Sequence, residues 1–331
     1  MKKSTLLAAL ALMMCLPVLV FGQAKVGTTG AQFLKLGVSA RANGMGDAFI
    51  GLANDASALY YNPAAVALLE QKEIIATHVE YPADIQYEFI GVVWPTPSLF
   101  GNIGLAGYWL HTGDMPVTTY EYPRGNGQTF TVADMALGLT YSASLTDNLS
   151  IGLTFKYINQ FLEVEKAVGW ASDAGIYYQT GYRNFTLCMM LANFGPDMKF
   201  IRETYPLPID FRFGSSINLI QNESQKLTLG LQASRPNDNL ERFNAGAEYW
   251  FNDMFALRAG KKFNYDFANN GFLENDEGFS DRKSFNDLTS GYSFGFGLKF
   301  PVAAHKVQLD YAYQDLGFLD NVHRFTFDLK F

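Results

Sequence analysis

The sequence predicts an all-β chain: a transmembrane antiparallel up-and-down β-barrel of 14 strands, preceded by a small amino-terminal segment containing short helical turns. Three observations carry this. The amino-terminus reads as an export signal and no later apolar run is long enough for a membrane helix; strands of period two recur to the last residue; and the connections between them alternate in length.

Met1-Lys2-Lys3 is a positively charged start, Leu6 to Phe21 an apolar run, and Gly22-Gln23-Ala24 a small-residue cleavage zone. The run is short and interrupted by Pro17, so residues 1–22 read as a signal peptide, with cleavage after Gly22 or Ala24. Bulky Met14 argues against lipid attachment at Cys15. Cys188 is then the remaining cysteine, and no intramolecular disulfide can form. An exported chain without a helical span is soluble or a β-barrel, because a bilayer tolerates only helices and closed sheets. A net charge of -7 without a basic cluster points away from nucleic acid. The 28 Phe, 18 Tyr and 30 Gly suit strands with bulky outward and small inward side chains.

Residues 23–71 precede the expected barrel, which takes residues 72–331. Gly37 to Ala67 is mostly Gly, Ala, Ser, Asn and Asp, a composition that lets backbone pack closely in a confined space. Asn62 is placed to cap a helix whose first residue is Pro63 and which runs through Leu69. Gly44-Met45-Gly46 is not a nucleotide loop, since Phe49 stands where the third glycine belongs and no apolar strand precedes it.

The predicted strands are Glu73 to Tyr81, Ile85 to Trp94, Gly101 to Leu110, Thr129 to Ser144, Leu149 to Phe161, Ser172 to Thr180 and Phe185 to Leu191. Pro208 to Ile220, Lys226 to Ser234, Arg242 to Trp250, Phe255 to Phe263, Ser290 to Phe300, Lys306 to Tyr313 and Arg324 to Phe331 follow. Ser290 to Phe300 alternates most clearly, with Tyr292, Phe294, Phe296, Leu298 and Phe300 opposite Ser293, Gly295, Gly297 and Lys299. Arg212, Glu248, Arg258, Lys299, Asp310 and Lys330 fall on inward faces, where they can pair with one another or with Arg41, Asp47 and Asp55. Every second connection is short; the alternate ones, from His111 to Gln128, Leu162 to Ala171, Ala192 to Leu207, Arg235 to Glu241, Asn264 to Thr289 and Gln314 to His323, are mostly longer, with Pro82 to Asp84 the exception. Phe325, Phe327, Leu329 and Phe331 form one face of the last strand and resemble the carboxy-terminal signal that the barrel assembly machinery recognises.

No reaction chemistry emerges. The four histidines lack metal-ligand spacing, and Ser215 lies within a strand rather than at a nucleophile elbow. Glu274, Asp276, Glu277, Asp281 and Asp287 do not match a calcium loop and read as a solvated loop; no cofactor or metal is expected.

The run Ser39-Ala40-Arg41-Ala42-Asn43-Gly44-Met45-Gly46-Asp47-Ala48-Phe49, with Ala53-Asn54-Asp55-Ala56-Ser57-Ala58-Leu59-Tyr60-Tyr61-Asn62-Pro63-Ala64, resembles the amino-terminal signature of the PorV/PorQ family. That family is related to the FadL-type long-chain fatty-acid transporters, which share the Asn-Pro-Ala element; Asn54 and Ala65 depart from positions that are commonly acidic and Gly, respectively. The resemblance implies a FadL-like outer-membrane barrel whose lumen is plugged by residues 23–71, with Arg41, Gly44, Gly46, Asp47, Asp55, Asn62 and Pro63 as the plug motif. It implies outer-membrane lipid and lipopolysaccharide as surroundings, and type IX secretion components or secreted cargo as partners. The alternative it leaves open is a transporter of a hydrophobic ligand such as a long-chain fatty acid, for which Phe200, Leu207, Phe267 and Phe272 are the candidate pocket. An orphan barrel without a transport role is the third reading.

Overall fold

The computed structural model describes residues 27–266, 271–272, 291–303, 305–316 and 321–331. The expected signal peptide and the acidic loop lie outside them. No helix among the described residues is long and apolar enough to cross a membrane.

The strands are β1 (Glu73–Tyr81), β2 (Ile85–Thr96), β3 (Gly101–Thr112), β4 (Val132–Thr146), β5 (Leu149–Leu162), β6 (Glu165–Gln179) and β7 (Thr186–Phe194). They continue as β8 (Asp210–Gln221), β9 (Gln225–Pro236), β10 (Glu241–Phe251), β11 (Phe255–Asp266), β12 (Tyr292–Val302), β13 (His305–Asp315) and β14 (Asn321–Lys330). Each pairs antiparallel with its neighbours in sequence, and β1 pairs with β14 from Glu73 opposite Lys330 to Glu80 opposite His323. The sheet is thus a closed 14-stranded barrel, and closure leaves no free edge. The Phe331 N–H adds one more bond across this seam, to the Lys72 carbonyl at 2.9 Å.

Most strand ends differ from expectation by one to three residues, and two differences change how the chain is connected. β6 begins at Glu165 rather than Ser172, so the connection expected from Leu162 to Ala171 is a tight turn at Glu163 and Val164, with Glu163 in the left-handed region at φ 56°. The polar start hid the alternation: Lys166, Val168 and Trp170 face outward, small Ala167, Gly169 and Ala171 face inward, and Trp170 stacks on Phe155 at 6.0 Å. Thr129 and Phe130 do not belong to β4; they pair with Met115 and Pro116 in a small separate ribbon above the wall. The longest connections, 113–131, 195–209 and 267–291, all lie at one end, which is the extracellular end in barrels of this class.

The outer wall carries the apolar alternation, with Leu137, Leu153, Leu257 and Phe294 more than half exposed. The inner wall does not enclose an open channel. Residues 38–66 are almost wholly buried inside it, in short helices at Ala40–Gly44 and Ala58–Tyr61 and a 3-10 helix at Pro63–Leu68. Asn62 caps the last, accepting from the Ala64 N–H at 3.1 Å. The expected helix is therefore present in the tighter 3-10 form.

Candidate functional site

The amino-terminal segment threads the whole lumen. At the long-loop end the Gly30 N–H donates to the Pro206 carbonyl, and the Ala31 N–H to Gln160 Oε1, both at 3.0 Å. Asp238, in the turn between β9 and β10, accepts from the Thr29 hydroxyl at 2.6 Å and from Lys35 at 2.8 Å. Further down, Ala40 N–H donates to Thr326 Oγ1 at 2.9 Å and Asn43 to Gln314 at 2.7 Å. The Gly51 carbonyl receives the hydroxyls of Tyr177, Thr186 and Ser216 at 2.9–3.1 Å. Asn102 closes the path at the short-turn end, donating to the Val66 and Leu69 carbonyls at 2.7 and 2.8 Å. The segment's backbone polar groups are thus met by inward side chains in place of water.

Close approach requires glycine on both surfaces. A Cβ on Gly44 would stand 2.9 Å from the Gly295 Cα, and one on Gly260 would stand 2.0 Å from the Met45 carbonyl carbon. Gly46 adds a left-handed backbone at φ 64° directly against the Gly260 and Lys261 backbone. Glycines 230, 246 and 260 lie side by side on β9, β10 and β11, forming a smooth strip under residues 45–48.

Charge locks the segment to this wall. Arg41 makes a bidentate pair with Glu248, Nε to Oε2 and Nη2 to Oε1 both at 2.7 Å, and reaches Asp55 at 2.8 Å and Asn54 at 2.5 Å. Glu248 also accepts from Arg258 at 2.7 Å, whose Nη1 donates to Asp310 at 2.7 Å; Gln308 supplies a further donor to Asp310 at 2.7 Å. The result is a buried chain running Asp55, Arg41, Glu248, Arg258, Asp310. Asp47 pairs separately with Lys262, and the Tyr61 hydroxyl donates to it at 3.3 Å. Burial alone would raise the Asp55 carboxyl, but Arg41 and Lys330 outweigh it and hold it below its ordinary value. Asp47 is lowered in the same way, against burial, by Lys262 with Arg324 and Arg242. Both carboxylates stay ionised through the ordinary range, so their contribution to seating the segment is lost only as pH falls below it.

One member of the wall is poorly served. Asp328, 1% exposed, has no hydrogen-bond partner on either carboxylate oxygen and stands beside Glu73. Asp328→Asn replaces a carboxyl crowded against Glu73 by an uncharged amide that can donate to it. It should stabilise the barrel by about 1–3 kcal/mol, read as a higher temperature for loss of the compact, fast-migrating form on detergent gels.

The expected plug residues therefore meet as follows. Arg41 and Asp55 pair directly, Gly44 and Gly46 form the close contacts, Asp47 binds the wall, and Asn62 and Pro63 open the 3-10 helix. On β14, Phe325 and Phe327 are exposed on the outer wall, Leu329 is half-buried, and Phe331 stands edge-on to His305. The suggested pocket is less coherent: Leu207 is buried, Phe200 packs beside the same core from a ribbon at 198–205, and Phe267 and the side chain of Phe272 lie outside the described residues. A groove of about 810 Å³ lies elsewhere, on the outer wall over β1, between Ile90 and Trp109 on one side and Phe325 and Phe327 on the other. Among the described residues no cluster of His, Cys, Asp and Glu is arranged to hold a metal ion, and Cys188 is buried and unpaired.

Glu73, Asp238, Lys262 and Arg324 were not singled out by sequence reasoning. Glu73 accepts the Ala56 N–H at 2.8 Å and pairs with Lys330 at 3.2 Å. The usable signal for three of them was strand parity, since Glu73, Lys262 and Arg324 occupy the inward phase of their strands. Asp238 lies in a turn, where parity gives no direction.

The family model described as "Type IX secretion system protein PorV" matches residues 21–236. The chain belongs to the PorV family. Its fold is shared with FadL-type barrels. The Pseudomonas putida toluene transporter TodX aligns with a TM-score of 0.55 at 11% identity, covering 89% of this chain and 97% of TodX. The monoaromatic hydrocarbon channel CymD aligns with a TM-score of 0.54 at 11% identity, covering 89% and 96%. The Ralstonia pickettii toluene transporter TbuX aligns with a TM-score of 0.50, also at 11% identity, covering 89% and 97%. Comparison with curated protein sequences gave no match. PorV-family membership and the barrel make this an outer-membrane protein.

Proposed function

We propose that this PorV-family barrel is a non-enzymatic accessory of type IX protein secretion, which holds a secretion component or secreted cargo at its extracellular loops. The family match over residues 21–236 carries the reading. A lumen filled by residues 38–66 and locked by Arg41, Glu248 and Arg258 supports a scaffold rather than an open pore. The connections 113–131 and 195–209, with the incompletely described 267–291, would supply the contact surface. On this reading residues 1–22 are removed on export, 23–71 remain as the plug, lipid and lipopolysaccharide surround the outer wall, and the β14 aromatics engage the assembly machinery. Purification from native outer membranes in mild detergent should recover secretion components or cargo, and deletion of 117–127 or 198–205 should diminish that recovery. Recovery of neither class from crosslinked native membranes refutes the proposal.

The alternative is passage of hydrophobic small molecules, for which the fold shared with TodX and CymD is the support. It requires the Arg41–Glu248 contact to part during transport. Unchanged uptake of a labelled fatty acid or aromatic hydrocarbon in a deletion strain argues against it.

A further inference from the structure

The lumen above the Arg41 lock carries more positive charge than the contacts there consume. Four cations project into it from the wall: Arg212 on β8, Arg242 on β10, Lys262 on β11 and Arg324 on β14. The carboxylates they pair with are Asp47 of the amino-terminal segment and Asp210 of the wall. Arg212 and Asp210 form a close buried pair at 2.8 Å, and Lys262 pairs with Asp47. Arg242 reaches Asp210 only at 3.7 Å, and its Nε has no hydrogen-bond partner. Arg324 is 2% exposed; its Nη2 donates to the Tyr81 hydroxyl at 3.0 Å, while Nε and Nη1 have no partner. Both arginines are near enough to Asp47 and Lys262 to act on them electrostatically, beside the direct Lys262–Asp47 contact.

Buried guanidinium N–H groups without acceptors are costly, and native proteins seldom leave them so without a use. Here the unpartnered donors belong to arginines that flank the Asp47–Lys262 pair, where the plug brings a carboxylate against the wall. Asp47 and Lys262 are each about one-fifth exposed and the Arg242 side chain 30%, so the cluster is open from one side while Arg324 forms its buried floor. Arg242 opens β10 and Tyr81 ends β1, which places the cluster toward the extracellular end. Asp47 is held there by a left-handed turn, at φ 59° after Gly46 at φ 64°.

We infer that this cluster is a binding site for a small oxyanion, a carboxylate or a phosphate group, which enters from the extracellular end and is held by Arg324, Arg242 and Lys262 with Asp47 as the built-in counter-ion. The site is independent of the secretion reading, since it rests on unused donors in the lumen rather than on the loops. Arginine suits both anions because its planar donors match their oxygens. Asp47 competes with the ligand for the same cations, which fixes the sign of the Asp47 substitution.

The test uses the full chain purified in a neutral detergent, titrated with inorganic phosphate and with acetate at constant ionic strength, with binding followed calorimetrically. Saturable binding of one or both is expected, and the preferred probe identifies a phosphate or a carboxylate ligand. Arg242→Gln and Arg324→Gln should each weaken binding about tenfold, the loss expected for one charge-assisted hydrogen bond. Asp47→Asn should tighten it several-fold, an effect that general destabilisation would not produce. If Arg324→Gln does not fold, Arg242→Gln and Asp47→Asn still decide, because both residues are partly exposed. Absence of saturable binding of either anion, or binding unchanged in Arg242→Gln and not tightened in Asp47→Asn, overturns the assignment.

Discussion

Phe325→Asp and Phe327→Asp, made together, should abolish insertion of the barrel into the outer membrane. Both side chains stand on the outer wall of β14, 51% and 40% exposed, where lipid is their solvent. A charge on that face costs up to about 2–4 kcal/mol near the middle of the bilayer. The double substitution also removes ring contacts, including that of Phe325 with Tyr311 at 5.2 Å. The same strand closes the barrel against β1, so failure there leaves two open edges in a solvent that cannot satisfy them. Phe331→Ala, which leaves the Lys72 bond in place, should slow assembly without abolishing it, because it tests the terminal side chain alone. The measurement is the fraction of protein in washed outer membranes that shows a folded, heat-modifiable band. Normal insertion of the double variant would show that β14 makes no critical contribution to assembly.

Arg41→Ala should unseat the amino-terminal segment while leaving the barrel closed. Glu248 would lose its bidentate partner and Asp55 its nearest cation, both in a buried setting. Removing one partner of a buried ion pair costs about 3–5 kcal/mol, chiefly because the other charge is stranded. The barrel's strand pairing does not pass through Arg41, so the cost falls on the contact between segment and wall. The expected results are protease cleavage within residues 37–70 and measurable ion conductance in planar bilayers, both absent from the parent protein. Arg41→Ala with Asp55→Asn should recover part of the loss, because Asp55 loses its ion pair with Arg41 whereas Glu248 keeps Arg258. A closed, protease-resistant Arg41→Ala variant would show that glycine packing and hydrogen bonds alone hold the segment.

The glycine strip and the charge lock do different work in holding that segment. The strip at Gly230, Gly246 and Gly260 lets two backbones touch, which supplies shape but tolerates sliding. Arg41 has one acceptable position, because its planar donors fit Glu248 in a single geometry. A secretion scaffold benefits from a fixed lumen, whereas passage of a ligand would require breaking this contact. The lock thus bears directly on the choice between the two functional readings.

Strand identity was legible along most of the chain because a wall with lipid outside and small or polar groups inside must alternate with period two. Tyr292 to Phe300 shows this fully, and the inward assignments of Glu248, Arg258 and Asp310 follow from the same parity. The start of β6 was not legible, because Glu165 and Lys166 lie above the apolar band and resemble a loop. The plug's composition announced close packing, and Asn62-Pro63 announced its helix cap.

What the sequence determined by itself is architecture: strand number, the seam between first and last strands, and family. Partner choice within the lumen was decided by tertiary structure. Arg41 lies 207 positions from Glu248, and Thr29 lies 209 from Asp238. Alternation states which way a side chain points, whereas pairing across a lumen depends on strand stagger and on the path of the segment, both set by closure of the whole barrel. For the same reason the unused donors of Arg324 and Arg242 around Asp47 emerge only once the barrel has brought β10, β11 and β14 to face one turn of the plug.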